Sequence, residues 1–232
     1  MQESHIPPTI TIYKSAEEVP HARWLAVIID VFRAFSVECY ILHNGASYII
    51  PVQTLDEAYA LKKENPDYIL VGERWWIKPD WFDYGNSPTE LLNVDFTDKI
   101  IVHTTMNGTK GLMLATQADD IVTGSFVNAS AILRYIKETK PEIVSLVSTS
   151  HLATENNEDI LFANYISDTL QGETVDQKYI REMMQKTWAY ALLFDEIGVP
   201  ATDFDLCLED RFPFIIKQEE QDGRRILIKI DI

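Results

Sequence analysis

Short apolar runs alternate with more polar stretches along most of the chain. The run at residues 24–30 is apolar until it reaches Asp30, and a strand buried on both faces of a parallel sheet ends in this way. A helix is predicted to follow at residues 33–43, because Asn44-Gly45 is a common helix end. The start of the chain therefore predicts a strand followed by a helix.

The same alternation repeats towards the C-terminus. Thr54 and Glu57 form a T-x-x-E capping box that opens one helix, and Asp222-Gly223 is a tight-turn signal between two late strands. A longer helix is predicted at residues 177–197. Strands are predicted at residues 9–13, 24–30, 48–52, 68–72, 100–104, 120–123, 143–147, 212–217 and 225–230, and the other helices at 33–43, 54–63, 108–117, 128–138 and 157–170.

Strands that alternate with helices predict an α/β fold. We expect a three-layer α/β/α arrangement with a mostly parallel or mixed sheet and a C-terminal β-hairpin. The 232 residues are 46% hydrophobic, which suffices for a sizeable core, and no repeat, low-complexity linker or sharp change of composition divides them. A single domain over residues 1–232 is predicted, and a subdivided sheet would be compatible with it.

The charge and cysteine content narrow the class of protein. Thirty-six acidic residues against 20 basic ones give a formal net charge of -16, so the average surface repels nucleic acid and anionic membranes, and neither is expected as a partner. An anionic ligand would need a local cation or a metal. Cys39 and Cys207 are far apart and are predicted to be free thiols in the cytoplasm. We find no targeting or membrane-spanning pattern.

Polar side chains follow several predicted strands, where open α/β sheets bind their ligands. Carboxylates are the usual protein ligands of Mg²⁺, arginine clamps phosphate at two points, and Asn-Gly-Thr at a helix start can present backbone donors to an anion. The pattern favours metal-assisted chemistry on a phosphate monoester. The metal candidates are Asp30, Glu73, Glu158 and Asp159, and the anion-binding candidates are Arg33, Arg74 and Thr109.

Each of these residues also has a structural interpretation. Asp30 could cap the following helix, Glu158 and Asp159 would be favoured by a helix dipole, and Asn107-Gly108 is a common turn pair. His103 lies in an apolar strand, which is more typical of a core histidine than of a base. His151 lies in a loop and could act as an acid or base, but its neighbouring hydroxyl groups do not by themselves make a triad.

The segment from Gly72 to Pro88 is predicted to be an active-site loop. It carries charges of both signs and contains Trp75, Trp76 and Trp81. Three tryptophans in a loop are unusual, and they are expected to wall a pocket or cover a subunit contact. Ser87-Pro-Thr-Glu90 is predicted to form a capping box that starts the next helix.

In order along the chain, these segments resemble the 2-phosphosulfolactate phosphatase family, which comprises magnesium-dependent enzymes of coenzyme M biosynthesis. The motifs that carry the resemblance are Asp30-Val-Phe-Arg33, Gly72-Glu-Arg74 with Asp83-Tyr-Gly-Asn-Ser-Pro88, Thr104-Thr-Met-Asn-Gly-Thr109, Gly124-Ser-Phe-Val-Asn128, Glu158-Asp159 and Asp205-Leu-Cys-Leu208. The resemblance implies an α/β fold, a Mg²⁺ ion and a site built from Asp30, Arg33, Glu73, Arg74, Asn107, Glu158 and Asp159. Within the same motifs, Asn86, Gly108, Thr109 and Asn128 are assigned to substrate binding.

The chain departs from this family at two places. Trp75 and Trp76 stand where relatives usually carry glycines, and two indoles are not expected to fit the space or the backbone angles of two glycines. The cysteine- and glycine-rich turn expected after the strand at residues 143–147 is replaced at residues 148–154. We therefore predict a narrower entrance, with 2-phosphosulfolactate as a poor substrate and a smaller or more apolar phosphate ester accepted.

Two functions remain open at this point. The first is a magnesium-dependent phosphomonoesterase for a small anionic 2-hydroxy-acid phosphate, and we expect this enzyme to be a homodimer. The second is a catalytically inactive binding or regulatory protein that keeps the ancestral pocket. Retaining Asp30, Glu73, Glu158 and Asp159 together favours catalysis, because an inactive site gains little from carboxylates that repel one another.

Overall fold

The chain folds around one nine-stranded mixed sheet, as seen in a computed structural model that describes residues 8–150 and 157–232. The strand order is β1-β7-β2-β6-β8-β9-β3-β5-β4. The strands are β1 (Thr9–Tyr13), β2 (Trp24–Ile29), β3 (Tyr48–Pro51), β4 (Ile69–Gly72), β5 (Ile100–Thr104), β6 (Ala118–Gly124), β7 (Ile143–Ser148), β8 (Phe214–Gln221) and β9 (Arg224–Asp231).

Helices lie on both faces of this sheet. They are α1 (Ala34–His43), α2 (Leu55–Glu64), α3 (Pro88–Leu91), α4 (Gly108–Leu114), α5 (Ala129–Thr139), α6 (Glu158–Leu170), α7 (Gln177–Met184), α8 (Trp188–Tyr190) and α9 (Thr202–Leu208). Two 3₁₀ helices (Ala16–His21 and Phe126–Asn128) and a π-helix (Ala191–Ile197) complete the described elements. None of the helices in the described ranges combines the length and apolar character needed to span a bilayer.

Strand β2 shows how the layers form. Its residues alternate between two buried clusters, with Ala26 and Ile28 in one, and Leu25, Val27 and Ile29 in the other. The first cluster includes residues of α1 and α4, and the second includes residues of α5 and α6. Successive side chains of a strand point to opposite faces, so a run that is apolar throughout buries both faces of the sheet. The predicted α/β/α arrangement is confirmed.

The sheet consists of two parallel groups joined by the C-terminal hairpin. Strands β1, β7, β2 and β6 are parallel to one another, as are β3, β5 and β4. The ladders β6–β8, β8–β9 and β9–β3 are antiparallel. Three antiparallel steps make the two groups run in opposite directions. Residues after β2 and after β4 nevertheless line one cavity.

The hairpin and the Thr54 capping box are confirmed. The β8–β9 pair turns at Asp222-Gly223, where both residues have positive φ (52° and 72°), as a two-residue hairpin turn requires. Thr54 Oγ1 accepts from the Glu57 N–H at 3.1 Å, and Glu57 Oε2 accepts from the Thr54 N–H at 3.0 Å. Both segments are stabilised by local contacts, so the sequence was sufficient to predict them.

Two other predictions about helices were wrong. The helix predicted at 177–197 is interrupted after Met184, because the Thr187 hydroxyl donates to the Met184 carbonyl (2.8 Å) and accepts from the Tyr190 N–H (3.1 Å), so it competes with the backbone ladder. Ser87 does not form a capping box, since its hydroxyl donates to Asp203 on the short helix α9, which the sequence did not predict. The Glu90 carboxylate instead accepts from the Gly85 N–H at 2.8 Å.

Candidate active site

A cavity of about 270 Å³ lies where the ends of β2, β4, β5 and β7 meet the start of α6. Fifteen described residues line it: Asp30, Phe32, Arg33, Glu73, Trp75, Trp76, Asn86, Thr105, Met106, Asn107, Thr149, Ser150, Glu158, Asp159 and Ala189. They include seven of the site residues predicted from the sequence, namely Asp30, Arg33, Glu73, Asn86, Asn107, Glu158 and Asp159. Predicted residues from separate segments of the chain therefore come together.

Asp30 is held at the end of β2 by two contacts. Its Oδ1 accepts from the Ala34 N–H at 3.0 Å, and its Oδ2 accepts from the Thr149 hydroxyl at 3.4 Å. In the first bond Asp30 satisfies the first N–H of α1, although the N-cap residue of that helix is Arg33, and the Asp30 carboxylate also lines the cavity. Burial raises the pKa of Asp30 to about 6, and the negative charge of Glu73 adds to the shift, whereas the Ala34 bond opposes it.

Asp159 and Glu158 begin helix α6 next to Asp30. Asp159 Oδ1 accepts from the Val31 N–H at 2.9 Å, which ties α6 to the residues after β2. Burial raises the pKa of Asp159 well above its ordinary value, with further contributions from the charges of Glu158 and Asp30. Burial likewise raises the pKa of Glu158 to about 7, and Asp30 contributes again. These three carboxylates form an interacting cluster that resists full ionisation.

Glu73 follows β4 and is fixed by backbone donors. Its Oε1 accepts from the Met106 N–H and its Oε2 from the Trp76 N–H, both at 2.8 Å. Gly72 precedes it with φ at 149°, and a Cβ there would lie only 2.1 Å from the Thr104 carbonyl oxygen. Glycine is therefore required at this position, because the backbone of Gly72 lies too close to the Thr104 carbonyl of the neighbouring strand β5 to leave room for a side chain.

Arg33 is the one cation among the described residues that line the cavity. Its Nη1 donates to Asp203 Oδ2 at 2.7 Å, and both side chains are buried. Asp203 Oδ1 accepts from the Ser87 hydroxyl (2.8 Å) and from the Thr89 N–H (3.0 Å) and hydroxyl (2.6 Å). Asp203 thus fixes one edge of the guanidinium group. Asp203 was not predicted from the sequence, because a lone aspartate 170 residues from Arg33 carries no local signal.

A second buried network reaches the cavity through Asn86. Asn86 Oδ1 lies 3.3 Å from His103 Nε2, and His103 Nδ1 lies 3.0 Å from Glu38 Oε1. His103 is fully buried with hydrogen-bond partners on both ring nitrogens, as predicted for a core histidine. Glu38, in the middle of α1, was not predicted. His151, the other candidate acid or base, lies outside the described residues.

Four predicted substrate-binding residues are not among those that line the cavity. Arg74 donates to the carbonyl oxygens of Glu73 and Gln53 and to the Thr104 hydroxyl, and Gly108 packs behind Asp30. The Thr109 N–H and hydroxyl both bond back to Thr105, and Asn128 Oδ1 accepts from the Ser125 N–H in a capping box. The described bonds of Arg74, Thr109 and Asn128 hold neighbouring backbone in place.

Trp75 and Trp76 form a tight turn at the cavity. Reciprocal backbone bonds join Arg74 and Ile77 at 2.9 and 3.1 Å, and the two tryptophans between them have φ of 53° and 65°. This is the left-handed geometry of a two-residue hairpin turn, which normally takes Asn-Gly. The expectation that indoles do not fit the backbone angles of glycine was wrong. The chain adopts those angles at a cost of about 1–2 kcal/mol per residue.

The side chains present are chemically suited to a magnesium ion. Within residues 8–150 and 157–232, no three carboxylate, histidine or cysteine side chains are gathered to hold one ion. Mg²⁺ usually takes one or two carboxylates and completes its shell with water and substrate phosphate, so a smaller ligand set suffices. Asp30 and the adjacent Glu158 and Asp159 would supply those carboxylates. The buried Oδ1 of Asn107, which has no hydrogen-bond partner among the described residues, would supply a further oxygen.

Comparison with known proteins identifies the family. The chain matches the family model described as 2-phosphosulpholactate phosphatase over residues 11–220. A probable 2-phosphosulfolactate phosphatase of Thermoplasma acidophilum is 34% identical over 204 residues, covering 85% of this chain and 86% of the relative. Proteins of the same name are 35% identical over 200 residues in Thermotoga petrophila (81% and 86% covered) and 32% identical over 167 residues in Bacillus subtilis (72% of each). The chain therefore belongs to the 2-phosphosulfolactate phosphatase family and is a phosphatase, a hydrolase of phosphoric monoesters.

Proposed function

We propose that this phosphatase is magnesium-dependent and hydrolyses the phosphate ester of a small anionic 2-hydroxy acid. One observation carries the proposal: a buried cluster of carboxylates shares a 270 Å³ cavity with a single clamped arginine. Carboxylates alone would repel a phosphate ester, and Arg33 alone cannot neutralise one. A divalent cation between the carboxylates and the phosphate resolves the conflict of charge.

The chain's own groups divide the work around the phosphate. Asp30, with Glu158 or Asp159, would hold the ion, which when bound would supply positive charge to the phosphate oxygens during water attack. Arg33 is oriented to bind a phosphate oxygen, since Asp203 already occupies one edge of its guanidinium group. Glu73, fixed by two backbone amides, would accept a hydrogen bond from the attacking water. As the new P–O bond to water forms, the P–O bond of the ester breaks, and the proton that the water loses ends on the ester oxygen, which leaves as the hydroxyl of the 2-hydroxy acid.

The alternative, an inactive binding protein, is less consistent with these charges. A buried carboxylate without a function could be replaced by an uncharged residue at little cost in stability, because burying its charge is itself unfavourable. Here the pKa values of Asp30, Glu158 and Asp159 are all raised by burial, so the native protein keeps an arrangement that opposes their ionisation. A homodimer, a cytoplasmic location and a role in coenzyme M biosynthesis stay predictions from the sequence.

The same cluster predicts how stability depends on pH in the metal-free protein. The pKa values of Asp30 (about 6) and Glu158 (about 7) lie above their ordinary values of 3.8 and 4.5. The native state therefore binds protons more tightly than the unfolded chain between about pH 4 and 7, and the free energy of unfolding should fall as pH rises through that range. Urea denaturation in chelator at pH 5 and pH 7.5 should give the lower midpoint at pH 7.5.

The comparison variant is Asp30→Asn, in which the difference between the two midpoints should shrink. Adding Mg²⁺ should restore part of the stability at pH 7.5, because the ion binds only the deprotonated cluster of the native state. A metal-free parent protein that is equally stable at both pH values would show that the cluster is solvated and already ionised.

Phosphate release decides between the two functions. The purified chain is incubated with O-phosphorylated lactate, 2-phosphosulfolactate and O-phosphorylated glycerate, each with Mg²⁺ and each again with chelator. We expect release from at least one of these esters with Mg²⁺ and none with chelator. Release that is unaffected by chelator would refute the metal requirement. If none of the samples releases phosphate but the protein still binds one of the esters, the chain is the binding protein.

A further inference from the structure

We propose that the substituent on the third carbon of the substrate is flat and apolar, and that it stacks on Trp75, where 2-phosphosulfolactate carries a charged sulfonate. This inference rests on the proposed function, since it concerns the part of the 2-hydroxy-acid phosphate that lies away from the reacting phosphate. It is carried by the turn at Trp75 and Trp76 and by the distribution of charge around the cavity.

The charges count against a third anionic group on the substrate. The phosphate and carboxylate of such an ester already require the metal and Arg33. Among the described residues that line the cavity there is no further lysine or arginine. Arg74 follows the cavity residue Glu73 in the chain, but its guanidinium group donates to Glu73 O, Gln53 O and Thr104 Oγ1. Of the residues that the structure describes, those around a sulfonate would therefore be carboxylates, with no cation left over for it. An uncharged substituent avoids that repulsion.

The turn presents an aromatic surface at the same cavity. The Trp76 side chain anchors the turn by packing against the buried cluster that contains Leu25, Val27 and Ile29 of β2. The backbone N–H of Trp76 donates to the Glu73 carboxylate. Trp75 also lines the cavity but is 67% exposed, so most of its indole is not covered by protein. The two rings are 6.3 Å apart and inclined at 61°, so Trp76 meets Trp75 edge to face rather than by stacking on it. A planar group is the ligand that such a ring binds well.

The backbone of the turn is strained at both tryptophans. Both tryptophans have the left-handed geometry that glycine or asparagine adopts without strain, and strained residues persist where the surrounding structure or function requires them. Trp76 is accounted for by its packing and by its bond to Glu73. The ring of Trp75 lines the cavity without comparable burial, so it is accessible to a substrate there.

Trp81 offers a matched control for this residue. It is also a tryptophan with positive φ (66°) in the same loop, and it is 88% exposed, but it is not among the residues that line the cavity. Glycine suits the backbone angles at both positions. Trp75→Gly and Trp81→Gly should therefore both fold, and Trp75→Asn provides a second variant that tolerates the same geometry.

The experiment compares O-phosphorylated 3-phenyllactate, O-phosphorylated lactate and 2-phosphosulfolactate with Mg²⁺. We expect the phenyl ester to have the lowest KM and 2-phosphosulfolactate the highest. Trp75→Gly and Trp75→Asn should raise the ratio of the phenyl-ester KM to the lactate-ester KM by about 2- to 12-fold, the effect of one aromatic contact. Trp81→Gly should leave that ratio at the parent value.

Two results would overturn the inference: a KM for 2-phosphosulfolactate at or below that of the phenyl ester, or an unchanged KM ratio in both Trp75 variants. The proposed function fails separately, if none of the three esters is hydrolysed. In that case calorimetric binding of the same phenyl ester decides the inference, because a contact with Trp75 would still weaken in Trp75→Gly and not in Trp81→Gly.

Discussion

Asp30→Asn is expected to lower the magnesium-dependent rate of phosphate release by about 10³-fold, because the variant loses a charged ligand of the ion and the several kcal/mol of charge stabilisation that depend on it. The fold should survive, since asparagine keeps an oxygen for the Ala34 N–H and a group of the same size beside Thr149. Removing a buried carboxylate whose pKa is raised should not destabilise the protein.

The measurement is phosphate release over a Mg²⁺ titration, with thermal unfolding in parallel. Asp119→Asn, at the exposed start of β6, is the control for loss of one negative charge and should behave as the parent. An Asp30→Asn protein with the parent rate and the parent metal dependence would mean that Asp30 only caps α1.

Asp203→Ala is expected to reduce the free energy of unfolding by about 3–5 kcal/mol, because it leaves the buried charge of Arg33 without its partner. It also removes the acceptor of three bonds from Ser87 and Thr89. Asp203→Asn should be milder, since its oxygen can still accept from Ser87 and Thr89. In both variants the KM for a phosphate ester should rise, because the guanidinium group is no longer held in place.

Urea denaturation and steady-state kinetics test these effects. Asp205 lies on the same short helix and forms an exposed ion pair with Arg181, so Asp205→Asn should change stability by less than about 1 kcal/mol and leave the KM unchanged. If Asp203→Ala loses stability but its KM for the ester matches the parent, then Asp203 supports the fold only and does not position Arg33.

Some of the site was predictable from the sequence because its signals are local. Asp30 and Glu73 follow strands, Asn107 precedes a helix, and Glu158 and Asp159 begin one. Each position is defined by residues within a few places of it, and the carboxyl ends of strands are where α/β sheets bind ligands. Arg74, Thr109 and Asn128 have the same kind of local signal and were predicted to bind substrate for that reason. Their side chains instead bond to nearby groups of the protein, which no local pattern indicates.

Other parts of the site depend on contacts between distant segments. Asp203 reaches Arg33 across 170 residues, and Glu38 reaches His103 across 65. Neither pair has a sequence pattern, because a hydrogen bond between remote side chains requires only that the two segments pack together. The interruption after Met184 is similar, since Thr187 is tolerated in a helix until its hydroxyl competes for the backbone.

The sequence by itself determined the α/β class, most strands and helices, the C-terminal hairpin and the family, because apolar periodicity, turn residues and ordered motifs are properties of short segments. Only the tertiary structure decided that the β8–β9 hairpin joins two oppositely directed parallel groups, and that residues after β2 and after β4 share one cavity. It also decided that Trp75 and Trp76 adopt left-handed backbone angles there. Strand order and backbone strain arise when the whole core is buried at once, and no local pattern encodes them.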